Sequence, residues 1–150
     1  MNNTRITPLT FADAFFENFD FLISTYNYVI HQQTSNHFIA EKGDIRINIE
    51  LERGIWPSVS IELLGQTAEK VGNYNRIDLV RIVNCINPEA DTKMKWYSSQ
   101  NDLAGMVTHL KKYASLAQDF CNRILDGDIS QWSEIENCLE ELSRKFREDT

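Results

Sequence analysis

The segment that most constrains the fold of this chain is residues 44–64, with the sequence DIRINIELERGIWPSVSIELL. In its first half, isoleucine or leucine occupies every odd position from Ile45 to Leu51, and polar residues occupy the even positions. In its second half, the same alternation runs through Val59, Ile61 and Leu63. Because side chains on a strand point to opposite faces in turn, the pattern predicts a β-hairpin with one apolar and one polar face.

The alternation also predicts the register of the hairpin. Residues that face each other across an antiparallel pair share one side of the sheet, so odd positions should pair with odd positions. This requirement places the connecting loop at about 53–57, where Gly54 can adopt a positive φ and Pro57 is tolerated at a strand start. Two shorter strands are expected before the hairpin, at about 26–30 and 37–41, which gives a four-stranded antiparallel meander.

The remaining apolar residues recur at the three- and four-residue spacing of helices. One helix is predicted before the sheet, at about 10–25, with Thr10 as its N-cap. Three more are predicted after it, at about 75–87, at about 101–125, and from residue 130 or 131 onward. Because one sheet face is apolar and the length of 150 residues suits one domain, we expect a single α+β domain with three C-terminal helices on that face.

The chain is acidic, with a formal net charge of −7 and a pI near 4.9. Proteins that bind nucleic acid need a basic footprint, so we expect no nucleic-acid partner. Residues 126–150 contain eight acidic and three basic residues, whereas residues 76–125 contain five acidic and seven basic ones. Such an acidic end can steer a basic partner, although plain solubility also accounts for it.

The sequence contains no apolar run near the roughly 20 residues of a membrane span, and its start lacks a secretory signal. The expected partners therefore do not include a membrane, and the expected location is the cytoplasm. The three cysteines, Cys85, Cys121 and Cys138, are odd in number and far apart. We expect them to be buried thiols and not disulfides or metal ligands.

No motif for catalysis or cofactor binding can be assembled from the local sequence. A nucleophile elbow and both kinds of phosphate-binding glycine loop are missing, so neither an enzyme nor a cofactor is expected. His31 and His37 flank a predicted turn but lack a third ligand, and His109 is expected on the long helix, at the boundary between its buried and exposed faces. Asp126-Gly127-Asp128 lacks the further oxygen ligands of a calcium loop, so no metal is expected.

Two surfaces are candidates for binding another protein. Trp56 lies in or next to the hairpin loop, where it either forms an exposed interface anchor or folds back over the core. The polar face of the same hairpin carries four charged residues, Arg46, Glu50, Glu52 and Glu62, and Arg46 is expected to pair with one of these acids. A second acidic surface is expected around the last helix, formed by Asp126, Asp128, Glu134, Glu136, Glu140 and Glu141.

The order of the elements and the tail at residues 125–142, LDGDISQWSEIENCLEEL, resemble the small acidic immunity proteins of bacterial contact-dependent and polymorphic toxin systems. They also resemble uncharacterised bacterial α+β proteins of similar size. The resemblance implies a cytoplasmic, non-enzymatic protein that binds a toxin domain, commonly a basic nuclease, and blocks its active site. The alternative is a regulatory or adaptor domain that forms a homodimer through its sheet. An enzyme of unfamiliar type is a third hypothesis.

Overall fold

A five-stranded antiparallel sheet with the strand order β1-β2-β3-β4-β5 lies at the centre of the α+β structure. The computed structural model describes residues 10–52, 56–72, 74–94 and 103–148. Each strand pairs with its neighbours along the chain, as in the predicted meander, but there are five strands in these ranges where four were predicted, and the first begins at Val29 and not at about residue 26. The strands are Val29–Thr34 (β1), His37–Lys42 (β2), Ile45–Glu52 (β3), Trp56–Leu63 (β4) and Arg76–Asp78 (β5).

The register of the central hairpin is confirmed. Ile47 pairs with Ile61 and Ile49 pairs with Val59, so odd positions face odd positions, and all four side chains are buried. Strand β4 begins earlier than expected, because Trp56 pairs with Glu52 and belongs to the strand and not to the loop. Of the predicted loop at 53–57, residues 53–55 lie outside the described residues.

Seven helices lie in the described ranges. They are Phe11–Phe19 (α1), Phe21–Ser24 (α2), Gly65–Lys70 (α3), Leu79–Ile86 (α4), Leu103–Phe120 (α5), Asn122–Leu125 (α6) and Trp132–Glu148 (α7). None of these helices is long and apolar enough to cross a membrane. The N-cap at Thr10 is confirmed, because its hydroxyl accepts a hydrogen bond of 3.1 Å from the backbone N–H of Asp13.

Two helices that were predicted as continuous are each interrupted once. The first breaks at Asp20, whose carbonyl accepts hydrogen bonds from the backbone N–H groups of Ile23 and Ser24. This break leaves Ile23 exposed, although the sequence pattern had placed it on the apolar stripe. The long helix breaks at Cys121, where the backbone leaves the helical region (φ −113°, ψ 16°) and α6 begins.

The helix predicted at 75–87 starts later than expected, because its first residues form the fifth strand. Ile77 pairs with Ile61 and is buried, which fixes β5 at the edge of the sheet. Asp78 then ends the strand and caps α4, with its carboxylate accepting a hydrogen bond of 3.2 Å from the backbone N–H of Val80. An acidic side chain is among the best N-caps, so the helix begins after it.

The helices and the apolar face of the sheet share one hydrophobic core. Phe15 of α1 stacks on Phe38 of β2 with ring centroids 4.2 Å apart, and Trp132 of α7 is buried, as its place on the apolar stripe predicted. At the other end of the molecule, the buried Tyr28 hydroxyl donates a 3.0 Å hydrogen bond to the carbonyl of Leu125. Because the apolar side chains of β3 face this core, its charged side chains lie on the other, polar face of the sheet.

A disulfide joins Cys85 of α4 to Cys138 of α7, with the two Cα atoms 5.9 Å apart. The expectation of three buried thiols is therefore wrong for two cysteines and holds for Cys121, which is buried and free. This pair could not be predicted from the sequence, because it depends on two helices packing side by side across 53 residues of chain. Disulfides persist mainly in oxidising compartments, so this bond weighs against the expected cytoplasmic location.

Candidate functional site

The polar face of the sheet carries a network of paired charges, which we call the sheet-face network. Arg46 contacts two carboxylates, that of Glu41 at 2.7 Å and that of Glu62 at 3.7 Å. Asn48, buried at the centre of this face, donates a 3.2 Å hydrogen bond to Glu62. The predicted pairing of Arg46 with an acid of its own hairpin is confirmed, and a second acid on β2 joins it.

Glu50 occupies the other half of the sheet-face network. Its carboxylate lies 2.9 Å from the guanidinium of Arg76 and 3.8 Å from the imidazole of His37, and Arg76 also donates to Ser60. Of the four charged residues predicted to bind a partner, Arg46, Glu50 and Glu62 therefore have partners within the sheet. Glu52, at the end of β3, is exposed.

His31 and His37 each lie near a carboxylate on the polar face of the sheet. His31 lies 3.7 Å from Glu41, and His37 contacts Asn48 and Glu50. Among the residues that the structure describes, no group of three or more His, Cys, Asp or Glu side chains is arranged to hold a metal ion.

The expected acidic surface around the last helix is smaller than predicted. Glu136 is buried, and its carboxylate accepts hydrogen bonds from the backbone N–H groups of Gly72 (3.2 Å) and Tyr74 (3.1 Å). The prediction that Glu136 is a surface residue is wrong, because its carboxylate holds the segment after α3 against α7. The indole N–H of Trp132 adds a second tie to the same segment, a 2.8 Å bond to the carbonyl of Tyr74.

Two further acids of this surface are paired locally. Asp128 accepts hydrogen bonds from Arg123 and from the backbone of Ser130, and these bonds lower its pKa to about 2. Glu141 pairs with Arg144, which lowers the pKa of Glu141. The Asp126-Gly127-Asp128 segment thus ends one helix and leads into the next. Three predicted surface acids remain exposed outside such pairs: Asp126, Glu134 and Glu140.

A cavity of 640 Å³, which we call the Trp56 pocket, opens at the end of the central hairpin. Glu52 and Trp56 form one side as a cross-strand pair, and Asp78 joins them from the junction of β5 and α4. His109 and Tyr113, one turn apart on α5, form the opposite side. Residues 92–94 complete the lining.

The segment that carries residues 92–94 is held in place by polar contacts on both flanks. The hydroxyl of Thr92 donates a 3.1 Å hydrogen bond to Asn84 of α4. On the other flank, Lys112 of α5 forms an ion pair with Asp91 at 3.6 Å. The Trp56 pocket is therefore assembled from the hairpin, α4, α5 and an irregular segment that is tied to both helices.

Two ionisable groups of the pocket, Asp78 and Tyr113, have pKa values shifted toward their neutral forms. Burial raises the pKa of Asp78, with the backbone N–H groups of Val80 and Arg81 acting in the opposite direction and the charge of Glu52 adding to the rise. Burial also raises the pKa of Tyr113 to about 12, and the nearby carboxylates of Asp78 and Glu52 contribute. These mutual effects show that the three side chains face one volume of negative potential.

Trp56 lies between the two alternatives expected for it, because its side chain is only partly buried and is not part of the hydrophobic core. Its ring centroid lies 6.3 Å from that of His109, which is buried and not at the boundary between the buried and exposed faces of its helix, as was expected. Sequence reasoning named Trp56 and Glu52 but missed Asp78, His109 and Tyr113. No local signal joins these residues, since they come from three elements that meet only in the folded chain. Trp96, expected at the sheet edge, lies outside the described residues.

The Trp56 pocket is suited to binding and offers no activated nucleophile. A phenol with a raised pKa remains protonated near neutrality, so Tyr113 is a hydrogen-bond donor and not a base. The free thiol of Cys121 is buried elsewhere, and burial raises its pKa to about 12, which makes it unreactive. An indole beside two carboxylates is instead an arrangement that attracts cations.

No family model, curated protein or solved structure matches this chain. The function therefore has to be inferred from the geometry of these residues, from the charge distribution and from the resemblance of the tail.

Proposed function

We propose that this chain is a non-enzymatic binding protein for a basic protein domain, and that its partner is the toxin domain of a bacterial contact-dependent or polymorphic toxin system. The observation that carries the proposal is the Trp56 pocket, in which an indole lies beside Glu52 and Asp78. Tryptophan in a partly buried pocket is typical of the anchors that dominate protein interfaces. Carboxylates beside it select a basic partner.

The overall charge supports the same proposal. The chain carries a net charge of −7, and Asp126, Glu134 and Glu140 remain exposed outside local ion pairs. Complementary charge accelerates the encounter with a basic domain and weakens with added salt. The disulfide favours an oxidising compartment over the cytoplasm as the place where such a protein acts.

The experiment is to search beside the gene for this chain for a reading frame that encodes a basic domain, to express that domain, and to measure association and dissociation rates by surface plasmon resonance. Because an anchor acts mainly after encounter, Trp56→Ala should raise the dissociation rate by about tenfold or more and leave the association rate nearly unchanged. Phe146→Ala is the matched control, since Phe146 is an exposed aromatic residue on α7. The proposal fails if no basic domain binds, or if both variants behave like the original chain.

A second candidate function, self-association as an adaptor domain, is favoured by one observation. Leu142 and Phe146 of α7 are 53% and 73% exposed, and they line a groove of 460 Å³ that also includes Tyr74 and Leu139. This places the candidate dimer contact on α7 and not on the sheet, where the charges are already paired. Light scattering should then report a dimer that Phe146→Ser converts to a monomer.

A further inference from the structure

The Trp56 pocket contains more negative charge than its own residues neutralise. Glu52 and Asp78 each supply a carboxylate, and Lys93 is the cationic side chain among the described residues that line it. Among these described lining residues, carboxylates outnumber lysine and arginine side chains by one. A ligand with a single positive charge would therefore balance the pocket.

When no ligand is bound, the environment of Asp78 raises the free-energy cost of this excess negative charge. Burial is the largest influence on its carboxylate and outweighs the hydrogen bonds that it accepts from the start of α4. Glu52, on β3, brings a second negative charge close to it. Charges withdrawn from water gain most from a paired opposite charge, so a cation held here would be stabilised by both carboxylates.

The remaining walls match the uncharged part of such a ligand. Pro57, Val80 and Met94 present aliphatic surface, and Trp56 presents an indole. A cation over an aromatic face is attracted by the ring quadrupole, and tryptophan is the strongest of the aromatic residues in this respect. The volume of 640 Å³ exceeds the needs of one long side chain, so its stem fits without rearrangement.

We infer that the Trp56 pocket binds one ammonium or guanidinium group on an aliphatic stem, with Glu52 and Asp78 pairing the charge and the indole of Trp56 covering it. Only the identity of the ligand rests on the proposed function: in that case, the cation is a lysine or arginine side chain of the basic partner. A free alkylamine has the same chemistry and is the other possible source.

The test on the isolated chain is a titration by nuclear magnetic resonance with n-butylammonium and n-butylguanidinium, with n-pentanol as the uncharged control of similar length. We expect the cations to shift the indole N–H resonance of Trp56 and to bind about tenfold more tightly than the alcohol. Equal binding of the alcohol and the cations, or no binding of the cations, overturns the inference.

Three variants make the charge argument specific. Asp78→Asn keeps a side chain that caps helices well, and Glu52→Gln keeps the shape of the side chain, so both should fold while weakening cation binding about three- to tenfold each. Lys93→Met should strengthen it about threefold, because it removes the competing positive charge. Glu62→Gln, in the sheet-face network, is the matched control and should have no effect. A Lys93→Met variant that binds cations more weakly would contradict the inference.

Competition separates the two sources of the cation and separates this inference from the proposed function. If n-butylammonium displaces the basic partner, the ligand is a side chain of that partner. If the amine binds but the partner's affinity is unaffected by it, a free amine is the ligand and the side-chain source is overturned. If a basic partner binds Asp78→Asn and Glu52→Gln as tightly as the original chain, and the amines do not bind, the pocket inference fails while the proposed function stands.

Discussion

Two carboxylates of this chain are withdrawn from water, and they differ in how well the fold compensates them. Glu136 accepts two backbone hydrogen bonds, from Gly72 and Tyr74, and is at the centre of a structural tie. Asp78 also accepts backbone hydrogen bonds, but burial dominates and raises its pKa. A buried acid whose hydrogen bonds offset the cost of burial indicates a structural role. An acid in a cavity whose hydrogen bonds do not offset that cost indicates a functional role.

The pKa of Asp78 predicts how stability depends on pH. Because its folded pKa lies above the ordinary value of 3.8, ionising it costs free energy in the folded state as pH rises through that pKa. Asp78→Asn should therefore increase the free energy of unfolding at pH 7, and this advantage should vanish below the ordinary pKa, where the aspartate is protonated in both states. Urea unfolding over a series of pH values measures the difference.

Other charged groups face Asp78 and must be held constant in that comparison. Glu52 from β3 opposes its ionisation, Arg81 from α4 favours it, and Tyr113 from α5 is nearby and neutral. His109 and Lys93 line the same pocket and contribute to its electrostatics. Repeating the series in a His109→Gln background removes that contribution. A less stable Asp78→Asn protein at pH 7 in both backgrounds would show that the carboxylate is not a burden on the fold.

Glu136 leads to the opposite expectation. Glu136→Ala leaves the N–H groups of Gly72 and Tyr74 without their acceptor, which should cost about 1–3 kcal/mol of stability. Glu17→Ala, on the exposed side of α1, is the control and should change stability little. Equal unfolding midpoints for the two variants in urea would rule out the structural role of Glu136.

At the scale of elements, the disulfide between α4 and α7 is the strongest constraint beyond packing. It links residues 53 apart, so its loss should destabilise the chain by about 2–4 kcal/mol through the freedom that the unfolded chain regains. Cys85→Ser combined with Cys138→Ser should lower the melting temperature. Cys121→Ala is the comparison variant, because Cys121 forms no disulfide.

The redox state in the cell is checked by the same cysteines. Alkylation of intact cells before lysis, followed by mass spectrometry, should label Cys85 and Cys138 only after reduction. If both cysteines are labelled without reductant and the double variant is as stable as the original chain, the bond does not form where the protein acts, and the cytoplasmic location regains its support.

The elements that could be predicted from the sequence are those whose pattern is local. The period-two alternation from Ile45 to Leu63 predicted the central hairpin and its register, since a shift by one residue would expose every isoleucine. The strand β5 escaped prediction because it has three residues and a single apolar one, Ile77. The position of β5 is determined by its pairing with β4 and by the cap at Asp78, and not by a periodic pattern.

The candidate site could be predicted only in part for the same reason. Glu52 and Trp56 lie within the hairpin pattern, so the sequence pointed to them as surface residues at its end. Asp78 and Tyr113 are 35 positions apart in the chain and contribute to the same site only because α5 packs beside the start of α4. Periodicity reports which face of a helix is buried, but it does not report which other element that face meets.

At the scale of the whole molecule, acids inside and outside ion pairs should respond differently to charge reversal. Glu62→Lys removes the partner of Arg46 and Asn48, so we expect it to lower stability. Glu134→Lys and Glu140→Lys leave those pairs intact, so they should preserve stability and slow association with a basic partner. The slowing should fade as salt rises from about 0.05 to 0.5 M. Association rates that do not depend on salt would exclude electrostatic steering.

The meander has a consequence for the order in which this chain is assembled. Every strand pairs with its neighbour in sequence, whereas the bond from Tyr28 to Leu125 spans 97 residues. Contacts between nearby residues close with little loss of loop entropy, so we expect the hairpins to form first. During synthesis, the sheet then leaves the ribosome after α1 but before α4, α5 and α7, which complete the core. Its apolar face is exposed to other nascent chains until α7 emerges, which makes this interval the point where a chaperone would be needed most.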